Sequence, residues 1–351
     1  MGQSGTATLG VALVGTGLAA RMHATALRLV PEVRLLGNLG TTPEKSRGFA
    51  AENGVPRAYR DLEELLLDPE VQIVHLCTPP HTHPELTDRL AAAGKNVLVD
   101  KPLARTVGEA RGMQVLCRNR GVMLGGLFQH RFIPLCASVK QAVEQGRLGR
   151  LHLVDCYVKW WRQEAYYRGS SWRARPETEG GGALINQAIH SIDLLQWIAG
   201  PVVEVTGRTA TAVHAIGTED VGVAILRTAE GALGVIEGST ATYPGFPERL
   251  ELHGSRGTVI LDEGRRQVQW YLEGESPRVD EAGTRQGNAS DPGAVSPEAH
   301  AAAFTDFVRA VRDGHQPAVD GAEATKALEI VEAIYRSSAA GGLPLSLPLG
   351  V

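Results

Sequence analysis

The first third of the chain, from about Thr8 to Phe128, alternates short apolar runs with amphipathic stretches. The amphipathic stretches carry helix punctuation, with a first-turn proline at Pro84 and glycines at helix ends such as Gly54 and Gly94. Strands that alternate with helices are typical of a parallel sheet covered on both faces. The pattern predicts an α/β fold with a doubly wound parallel sheet, whose strands are Leu9–Val14, Val33–Asn38, Ile73–Cys77, Val97–Asp100 and Val122–Phe128.

The pattern changes after Arg150, where β-rich runs follow one another without helices between them. Turn signals such as Glu230-Gly231 and Gly254-Ser255 separate these runs, which favours a mostly antiparallel sheet in an α+β domain. The predicted strands are Leu151–Lys159, Val202–Val213, Val221–Arg227, Ala232–Thr240, Leu250–Leu252 and Thr258–Leu261. The polar stretch from Glu273 to Val295 is predicted to be a loop or a hairpin extension.

The length of 351 residues predicts two domains, at about 150 residues per domain. Their predicted bounds are residues 1–128 and 129–351, and a helix over residues 323–338 is a candidate to pack back on the first domain. The runs Val221–Arg227 and Ala232–Thr240 are apolar beyond simple alternation. We therefore expect an open sheet face covered by a partner subunit, in a homodimer or homotetramer.

The charge balance, 35 Lys and Arg against 39 Asp and Glu, supplies no clustered cationic excess of the kind that binds nucleic acid. The sequence contains no run of about 18 apolar residues, so no membrane-spanning helix is predicted. The N-terminus also lacks the pattern of a secretory signal. The protein is expected to be soluble and cytoplasmic. Its four cysteines show no C-x-x-C spacing, so reduced thiols and no metal site are expected.

A glycine-rich turn follows the first predicted strand. Its sequence is Gly15-Thr16-Gly17-Leu18-Ala19-Ala20. The first glycine permits the tight turn, the second lets the backbone approach a pyrophosphate, and Ala20 stands where helix and strand pack closely. N–H groups at the helix start would face the phosphates. Residues 15–19 are therefore candidate dinucleotide-binding residues of a Rossmann domain.

The end of the second predicted strand lacks the acidic residue that binds the ribose 2′-hydroxyl in the dinucleotide fingerprint. The segment instead offers Thr41, Thr42, Lys45 and Arg47, whose hydroxyl and cationic donors suit a 2′-phosphate. The alternative is that Lys45 and Arg47 simply face solvent on the second helix. Either NAD or NADP is therefore the expected cofactor.

Four motifs follow one another in order: residues 14–20 (VGTGLAA, with His23), 77–83 (CTPPHTH), 94–102 (GKNVLVDKP) and 180–194 (GGGALINQAIHSIDL). Through them the chain, from about Thr8 to Pro348, resembles the glucose-fructose oxidoreductase, inositol dehydrogenase and rhizopine-catabolism (Gfo/Idh/MocA) oxidoreductases. The resemblance implies a Rossmann domain plus an open-faced sheet domain, and NAD(P)-dependent oxidation or reduction of a sugar or polyol. It also implies that Thr78, Pro79 and His83 bind the cofactor.

Lys101 follows the fourth long strand of the predicted parallel sheet, in the sequence Asp100-Lys101-Pro102. A lysine at the carboxyl end of a parallel strand lies on the edge where open α/β sheets bind ligands. The family motif has Glu where this chain has Asp100. The resemblance implies that Lys101 contacts the cofactor and is a catalytic residue, which binds the substrate hydroxyl and tunes the group that takes its proton.

Asn186, His190 and Asp193 have the spacing i, i+4, i+7, which places them on one side of a helix beside an apolar face. A histidine there is often structural, but the preceding triple glycine allows another group to approach the helix start, which favours catalysis. His190 is the predicted general base, while Asn186 and Asp193 are predicted to bind substrate. The alternative for Asp193 is that it orients the His190 ring. Many relatives carry Asp where Asn186 stands, so His190 would act without a carboxylate at that position.

The segment from Lys159 to Arg175 contains five cationic residues and one acidic residue, together with three tryptophans and two tyrosines. Aromatic rings stack on sugar faces and arginine forks bind carboxylates or phosphates, so Arg162, Tyr167 and Trp172 are predicted to bind an anionic sugar. The alternative is a loop packed by its own aromatic side chains at a subunit contact. His75, His81 and His83 are not predicted to bind a metal, and packing of the cofactor loop or exposure to solvent is expected for them instead.

These features predict an NAD(P)-dependent dehydrogenase that acts on a hydroxyl-bearing carbon of a sugar, polyol or sugar acid, free or nucleotide-linked. One alternative is a dinucleotide-binding sensor without turnover, for which Lys101 and His190 would be dispensable. Another is a reductase of imines or unsaturated bonds on the same fold.

Because no carboxylate precedes Pro43, we predict that the protein binds NADP(H) at least as tightly as NAD(H). A carboxylate would repel the 2′-phosphate, and hydroxyl and cationic groups would not. Titration of protein fluorescence with each reduced cofactor measures both dissociation constants. A preference for NADH of tenfold or more, roughly 1.4 kcal/mol, would contradict the prediction.

Overall fold

The computed structural model describes residues 8–262, 266–282 and 297–350. These residues form two compact units. The first contains residues 8–104, 108–129 and 297–325, and the second contains residues 105–107, 130–262, 266–282 and 326–350. Within these ranges, no helix combines the length and the apolar character needed to cross a membrane.

The described residues form strands and helices in the following order. The strands are β1 (Leu9–Val14), β2 (Val33–Leu39), β3 (Arg57–Ala58), β4 (Ile73–Leu76), β5 (Asn96–Asp100), β6 (Leu124–Leu127), β7 (Leu151–Lys159), β8 (Val202–Ala210), β9 (Val221–Thr228), β10 (Leu233–Ser239), β11 (Arg249–Gly254), β12 (Gly257–Asp262), β13 (Gln267–Leu272), β14 (Arg278–Glu281) and β15 (Leu345–Ser346). The helices are α1 (Leu18–Leu27), α2 (Pro43–Asn53), α3 (Leu62–Leu67), α4 (His83–Ala92), α5 (Val107–Arg120), α6 (Pro134–Glu144), α7 (Glu164–Arg168), α8 (Pro176–Glu179), α9 (Ile189–Ala199), α10 (Pro297–Asp313) and α11 (Gly321–Ala339). A π-helical segment, Ala183–Ala188, leads directly into α9.

The first unit is built on a parallel sheet with the strand order β3-β2-β1-β4-β5-β6. Strand β1 pairs with β2 on one side and with β4 on the other, so the strand order reverses beside β1. Every residue of β1 and β4 is buried, as expected for central strands that are covered on both faces. Ligands of such sheets bind beyond the carboxyl ends of the strands at the reversal.

The predicted doubly wound sheet is confirmed, and its five predicted strands are present. Strand β1 has the predicted bounds, whereas the run Val122–Phe128 is shortened to β6. Strand β3 is not predicted from the sequence, because a strand of two residues shows no periodicity.

Helix α10 belongs to the first unit although it is distant in sequence. It packs against α1, and its Phe307 ring lies so close to β6 that a Cβ on Gly125 would be 2.7 Å away. Arg309 donates hydrogen bonds of 2.9 and 2.7 Å to the Glu32 carboxylate before β2. The first unit therefore includes a segment that lies outside the predicted domain of residues 1–128.

The second unit is built on a nine-stranded sheet with the order β14-β13-β12-β11-β7-β10-β9-β8-β15. Neighbouring strands are antiparallel except β7 and β10, which pair in parallel. The prediction of a mostly antiparallel sheet is confirmed. The parallel pair is possible because the long stretch that contains α9, β8 and β9 separates β7 from β10 and serves as a crossover.

Three strands of this sheet were not predicted, β13 and β14 at one edge and the short β15 at the other. Strand β13 alternates buried and partly exposed side chains, and β14 lies within the predicted loop from Glu273 to Val295. Strands β13 and β14 pair as a hairpin, and β14 alone lies in the stretch predicted to be a loop or hairpin extension. Residues 283–296, which make up the rest of that stretch, lie outside the described residues.

The two faces of the nine-stranded sheet differ. Helix α9 packs against β7 and β11 on one face, and the π segment packs against β9 and β10. Gly222 and Gly238 make room for the π segment, because a Cβ on either would lie 2.6 Å from the Leu184 side chain. On the other face Ile225 and Leu233 are 60% and 55% exposed.

The predicted C-terminal helix over residues 323–338 is α11. Its first residues group with the first unit, where Thr325 accepts a hydrogen bond of 2.6 Å from Gln114. From Lys326 onward the helix groups with the second unit, where Ser337 accepts a hydrogen bond of 2.9 Å from the Gly207 N–H.

Candidate active site

The predicted cofactor residues of the first unit follow the carboxyl ends of neighbouring strands. Val14 of β1 pairs with Leu76 of β4 and with Leu39 of β2, and Leu76 pairs with Val99 of β5. The turns that follow these strands therefore lie on one edge of the sheet. They contain Gly15–Ala19, Thr41 to Lys45, Thr78 with Pro79, and Lys101.

The two glycines of the first turn have different reasons to lack a side chain. Gly15 has φ +124°, and a Cβ there would lie 2.5 Å from the Cys77 carbonyl oxygen. Gly17 caps α1, is exposed, and would place a Cβ in open space. Ala20 has no exposed surface, as expected at the position of close packing. This backbone leaves the start of α1 open to a pyrophosphate group, so the residues fit a dinucleotide.

Thr41, Thr42 and Lys45 are exposed beyond the end of β2. The Thr42 hydroxyl caps α2 by accepting a hydrogen bond of 3.3 Å from the Lys45 N–H. Ser46 stabilises the same turn, because its hydroxyl accepts a hydrogen bond of 2.8 Å from the Gly40 N–H. Arg47, named as a further 2′-phosphate donor, forms an ion pair of 2.8 Å with Glu44.

His83 is buried rather than exposed to a ligand. Its ring nitrogens face two backbone carbonyl groups, that of Leu103 at 3.1 Å and that of Thr78 at 2.9 Å. Burial lowers the pKa of His83, against the opposing effect of the carbonyl hydrogen bonds. Its exposed fraction of 1% makes it a residue that holds the Thr78 turn, which favours the expected packing of the cofactor loop over direct contact with the cofactor.

Lys101 follows β5 and is partly exposed. Its backbone N–H donates a hydrogen bond of 2.9 Å to the Asp100 carboxylate, and a cis peptide bond joins it to Pro102. The Asp at position 100 thus shapes the turn that presents Lys101.

Among the described residues, His23, His75 and Cys77 bring their ligand atoms close enough to hold a metal. The ring nitrogens are engaged in hydrogen bonds: His75 Nδ1 donates to the Leu98 carbonyl at 3.0 Å, so its Nε2 accepts from His23 Nδ1 at 2.8 Å. Burial lowers the pKa of His75 to about 3 and raises that of the Cys77 thiol. This arrangement is a neutral hydrogen-bonded pair beside a protonated thiol.

The polar motif of the second unit begins in the π segment and continues into α9. The expected single α-helix is therefore replaced by a wider π turn that contains Asn186, followed by an α-helix with His190 and Asp193. Such π turns are frequent at functional sites. Between Gly181 and Gln196, Asn186 and His190 are the two residues that are not buried.

The His190 ring stacks on a neighbouring histidine ring, and a buried ion pair lies next to that histidine in the chain. Its ring stacks on that of His130, with centroids 4.5 Å apart and an angle of 16° between the planes. The next residue, Arg131, donates hydrogen bonds of 2.7 and 2.6 Å to the two carboxylate oxygens of Asp193. Asp193 has no exposed surface. Its carboxylate therefore pairs with Arg131 and does not face a substrate, which differs from the predicted substrate contact.

Asn186 does have a carboxylate beside it, that of Glu179, which is not among the predicted site residues. Its side-chain amide donates a hydrogen bond to buried Glu179. Its amide oxygen accepts one of 3.1 Å from Gln187, whose own oxygen accepts one of 2.9 Å from Arg162. Two predicted substrate residues are therefore linked through Gln187.

The aromatic segment is packed largely by its own side chains. Arg162 is 4% exposed and lies over the rings of Trp160 and Tyr166 at 4.8 and 5.5 Å, and burial lowers its pKa. The Tyr167 hydroxyl donates a hydrogen bond of 2.7 Å to Thr240, and burial raises its pKa to about 12. These contacts favour a structural role for Arg162, whereas Trp172 is partly exposed.

The triple glycine admits groups of the protein itself to the start of the π segment. A Cβ on Gly181 would lie 2.2 Å from the Tyr335 hydroxyl, and one on Gly182 would lie 2.0 Å from the Glu219 carbonyl oxygen. The prediction that these glycines admit a reacting group is therefore wrong, because the space at Gly181 and Gly182 is filled by Tyr335 and Glu219. Glu219 and Tyr335 carry no motif signal in the sequence, because both are distant along the chain from the glycines that they contact.

Fold and geometry together define an oxidoreductase with a dinucleotide-binding unit and a separate sheet unit that presents a polar motif. The family model described as "Oxidoreductase family, NAD-binding Rossmann fold" matches residues 9–127, and the "GFO/IDH/MocA C-terminal domain" matches residues 136–260. The chain belongs to the GFO/IDH/MocA family of oxidoreductases, and its first unit is an NAD-binding Rossmann domain. The expected nicotinamide dinucleotide cofactor is confirmed.

Several relatives with known reactions or ligands are similar over nearly the whole chain. The myo-inositol 2-dehydrogenase of Thermotoga maritima is 27% identical over 93% of this chain and 95% of the relative. The WlbA dehydrogenase from Bordetella pertussis, solved with NADH and UDP-GlcNAcA, is 30% identical, covers 98% and 99% of the two chains, and has a TM-score of 0.85. Levoglucosan dehydrogenase, solved with NADH and levoglucosan, is 23% identical over 97% and 99% with a TM-score of 0.88, which supports the fold alone.

Replacing Arg131 by Ala should lower the free energy of unfolding by about 3–5 kcal/mol, because it leaves the Asp193 carboxylate buried without its bidentate partner. Urea unfolding at pH 7 measures the change. Arg47→Ala is the control, since its ion pair with Glu44 is exposed and surface pairs contribute little. Equal small losses in both variants would contradict the assignment of Arg131 and Asp193 as a buried structural pair.

Proposed function

We propose that the protein is an NAD(P)-dependent dehydrogenase that transfers a hydride between the nicotinamide and a hydroxyl-bearing ring carbon of a sugar, polyol or sugar acid. The observation that carries this proposal is the partial exposure of Asn186 and His190 in an otherwise buried stretch. A histidine with a stacked neighbour and an amide one helical turn away is suited to bind a hydroxyl group and take its proton. Relatives that act on inositol and levoglucosan support the substrate class.

The residues have distinct roles in the proposed reaction. When bound, the nicotinamide supplies the hydride acceptor or donor. A ring nitrogen of His190 accepts the hydroxyl proton during oxidation, and the stacked His130 ring restricts how His190 can turn. Asn186 binds a substrate hydroxyl with an amide that Glu179 and Gln187 orient. Lys101 keeps its predicted role as the cation that lowers the pKa of the reacting hydroxyl.

The test is a panel of inositols, aldoses, anhydrosugars, uronates and nucleotide sugars, each assayed with NAD⁺ and NADP⁺. Formation of reduced cofactor is followed by absorbance at 340 nm. Turnover with at least one member supports the proposal. Cofactor binding without turnover across the panel, in both directions, would instead favour a dinucleotide-binding sensor.

Replacing His190 by Ala should lower kcat by about 10²–10⁴ while cofactor binding stays as in the wild type, because general-base help is typically of that size. Lys101→Met should also lower kcat, whereas Asn186→Asp should keep activity or shift the pH profile. Steady-state kinetics on an identified substrate and NADH titrations provide the two measurements.

His152→Ala is a matched control for the His190 variant, because His152 is exposed on β7 and has no proposed role. A His190→Ala protein that melts like the wild type and keeps kcat within threefold would contradict the mechanism. Joint loss of thermal stability and cofactor affinity would point to a structural histidine.

We further propose that the open face of the nine-stranded sheet binds a second copy of the chain. Ile225 pairs with Val235 of β10, and Leu233 pairs with Leu153 of β7, so these apolar side chains share one face. Leu153 is 39% and Val223 is 45% exposed, which extends the apolar surface across three strands. Surfaces of this kind commonly mark protein interfaces.

The double variant Ile225→Asp with Leu233→Asp should be monomeric, because two charges would have to be buried in the interface. Light scattering at micromolar concentration should give a dimer or tetramer for the wild type and one chain for the variant. Asp substitutions at the exposed residues Leu67, which ends α3, and Leu343 serve as controls. A monomeric wild type would remove this part of the proposal.

A further inference from the structure

Glu219 binds three successive backbone N–H groups at the start of the π segment. Its carboxylate accepts hydrogen bonds of 2.8 Å from the Gly182 N–H and 2.9 Å from the Leu184 N–H. Its own carbonyl oxygen accepts one of 3.0 Å from the Ala183 N–H. These are N–H groups that a helix cannot satisfy within itself, so Glu219 supplies the missing acceptors.

The segment that Glu219 caps is the one that presents Asn186 and His190. Asn186 lies two residues beyond the last N–H group that Glu219 binds, and its own N–H donates to the Gly182 carbonyl at 3.0 Å. The position of the first π turn therefore determines where the Asn186 amide and the His190 ring emerge from the buried stretch. A π turn is less stable than an α-helical turn and needs external support.

Close packing allows little room for an alternative cap. A Cβ on Gly182 would lie 2.8 Å from the Thr218 hydroxyl, besides its clash with Glu219. From α11 the Tyr335 hydroxyl donates a hydrogen bond of 2.8 Å to the same carboxylate. Gly181 is the residue that leaves space for this hydroxyl.

We propose that Glu219 is a positioning residue for the reaction, which fixes the π segment so that Asn186 and His190 face the substrate. This inference rests on the proposed dehydrogenase function. Glu219 itself is buried and acts through the backbone, so it takes no proton from substrate and forms no contact with it.

The strength of the hydrogen bonds from the π segment to the Glu219 carboxylate depends on pH, because this carboxyl group titrates. Burial raises the pKa of the carboxyl from its ordinary value of 4.5 to about 7, against the hydrogen bonds from Leu184, Tyr335 and Gly182. The groups that face it are those backbone N–H groups from the π segment and the titratable Tyr335 from α11. A protonated carboxyl has one good acceptor oxygen instead of two, so the cap weakens as the pH falls below about 7.

Stability has the opposite pH dependence. Because the pKa of Glu219 is higher in the folded than in the unfolded chain, folding takes up a proton between about pH 4.5 and pH 7. The contribution of this group to the free energy of unfolding is therefore full below pH 4.5 and is lost as the pH rises through 7. At low pH the cap is therefore weaker, while the contribution of Glu219 to the free energy of unfolding is larger. Weaker capping at low pH thus cannot result from a loss of global stability caused by Glu219.

The experiment compares Glu219→Gln and Tyr335→Phe with Ser337→Ala as a matched control. Gln keeps the size of Glu but turns an N–H donor towards one of the two backbone N–H groups. Ser337 is buried on α11 two residues beyond Tyr335 and bonds Gly207 and Leu343, so its loss removes hydrogen bonds without touching Glu219. Each protein is studied by amide hydrogen exchange, thermal unfolding and steady-state kinetics.

We expect Glu219→Gln to lower the protection factors of Gly182 and Leu184 at least tenfold. It should lower kcat at least tenfold with the dissociation constant for NADH within twofold. Tyr335→Phe should show the same pattern with about threefold effects, because one of the hydrogen bonds is lost. In the wild type the protection factors should rise between pH 6 and 8, and in Glu219→Gln they should not.

Ser337→Ala should lower the melting temperature and leave both protection of the π segment and kcat unchanged. Unchanged protection in Glu219→Gln, or lowered protection with kcat within twofold of the wild type, would overturn the inference. If the wild type turns over no member of the sugar panel, the proposed function fails. The exchange measurement then still decides whether Glu219 holds the segment, and unchanged protection overturns the inference on its own.

Discussion

The first backbone N–H groups of a helix have no partners within the helix, and the two candidate sites of this protein use that constraint in opposite ways. At the start of α1 the cap is Gly17, which has no side chain to bind the N–H groups and leaves open space before them. The positive end of the helix is thereby available to an anionic group. At the start of the π segment the Glu219 carboxylate of the protein itself binds these N–H groups. The side chains left accessible there are those of Asn186 and His190, which follow later in the segment and in α9. One helix start is therefore a binding site, and the other is a support for one.

Buried polar groups in the second unit serve to orient the few that are accessible. Arg131 and Asp193 form a buried ion pair, and His130 stacks on His190 from the position next to Arg131. Glu179 and Gln187 bind the two ends of the Asn186 amide. Such networks limit the rotation of His190 and Asn186 before a ligand binds, and this preorganisation favours catalysis by groups whose geometry must be accurate.

The same architecture in related proteins is compatible with different sugars. Relatives include a myo-inositol dehydrogenase and a dehydrogenase solved with UDP-GlcNAcA, and both are similar to this chain over nearly its full length. Within the second unit, the partly exposed aromatic and cationic side chains of the segment around Trp172 and Arg173 provide a surface that can vary without disturbing the sheet. The hydride chemistry itself belongs to the cofactor, so substrate choice can change while the support for His190 stays the same.

The sequence by itself determined the elements that depend on local pattern. The strand bounds of β1 and β7, the glycine turn at Gly15 and Gly17, and the helical position of His190 follow from periodicity and from the conformations that glycine allows. The family could also be recognised, because four motifs in order are specific. Only the tertiary structure decided which residues support them: Glu219 and Tyr335 come from a loop and a helix that are distant in sequence from Gly182, and Asp193 proved to pair with Arg131. The physical reason is that burial and hydrogen-bond partners are set by packing between distant segments, which leaves no periodic trace in the chain.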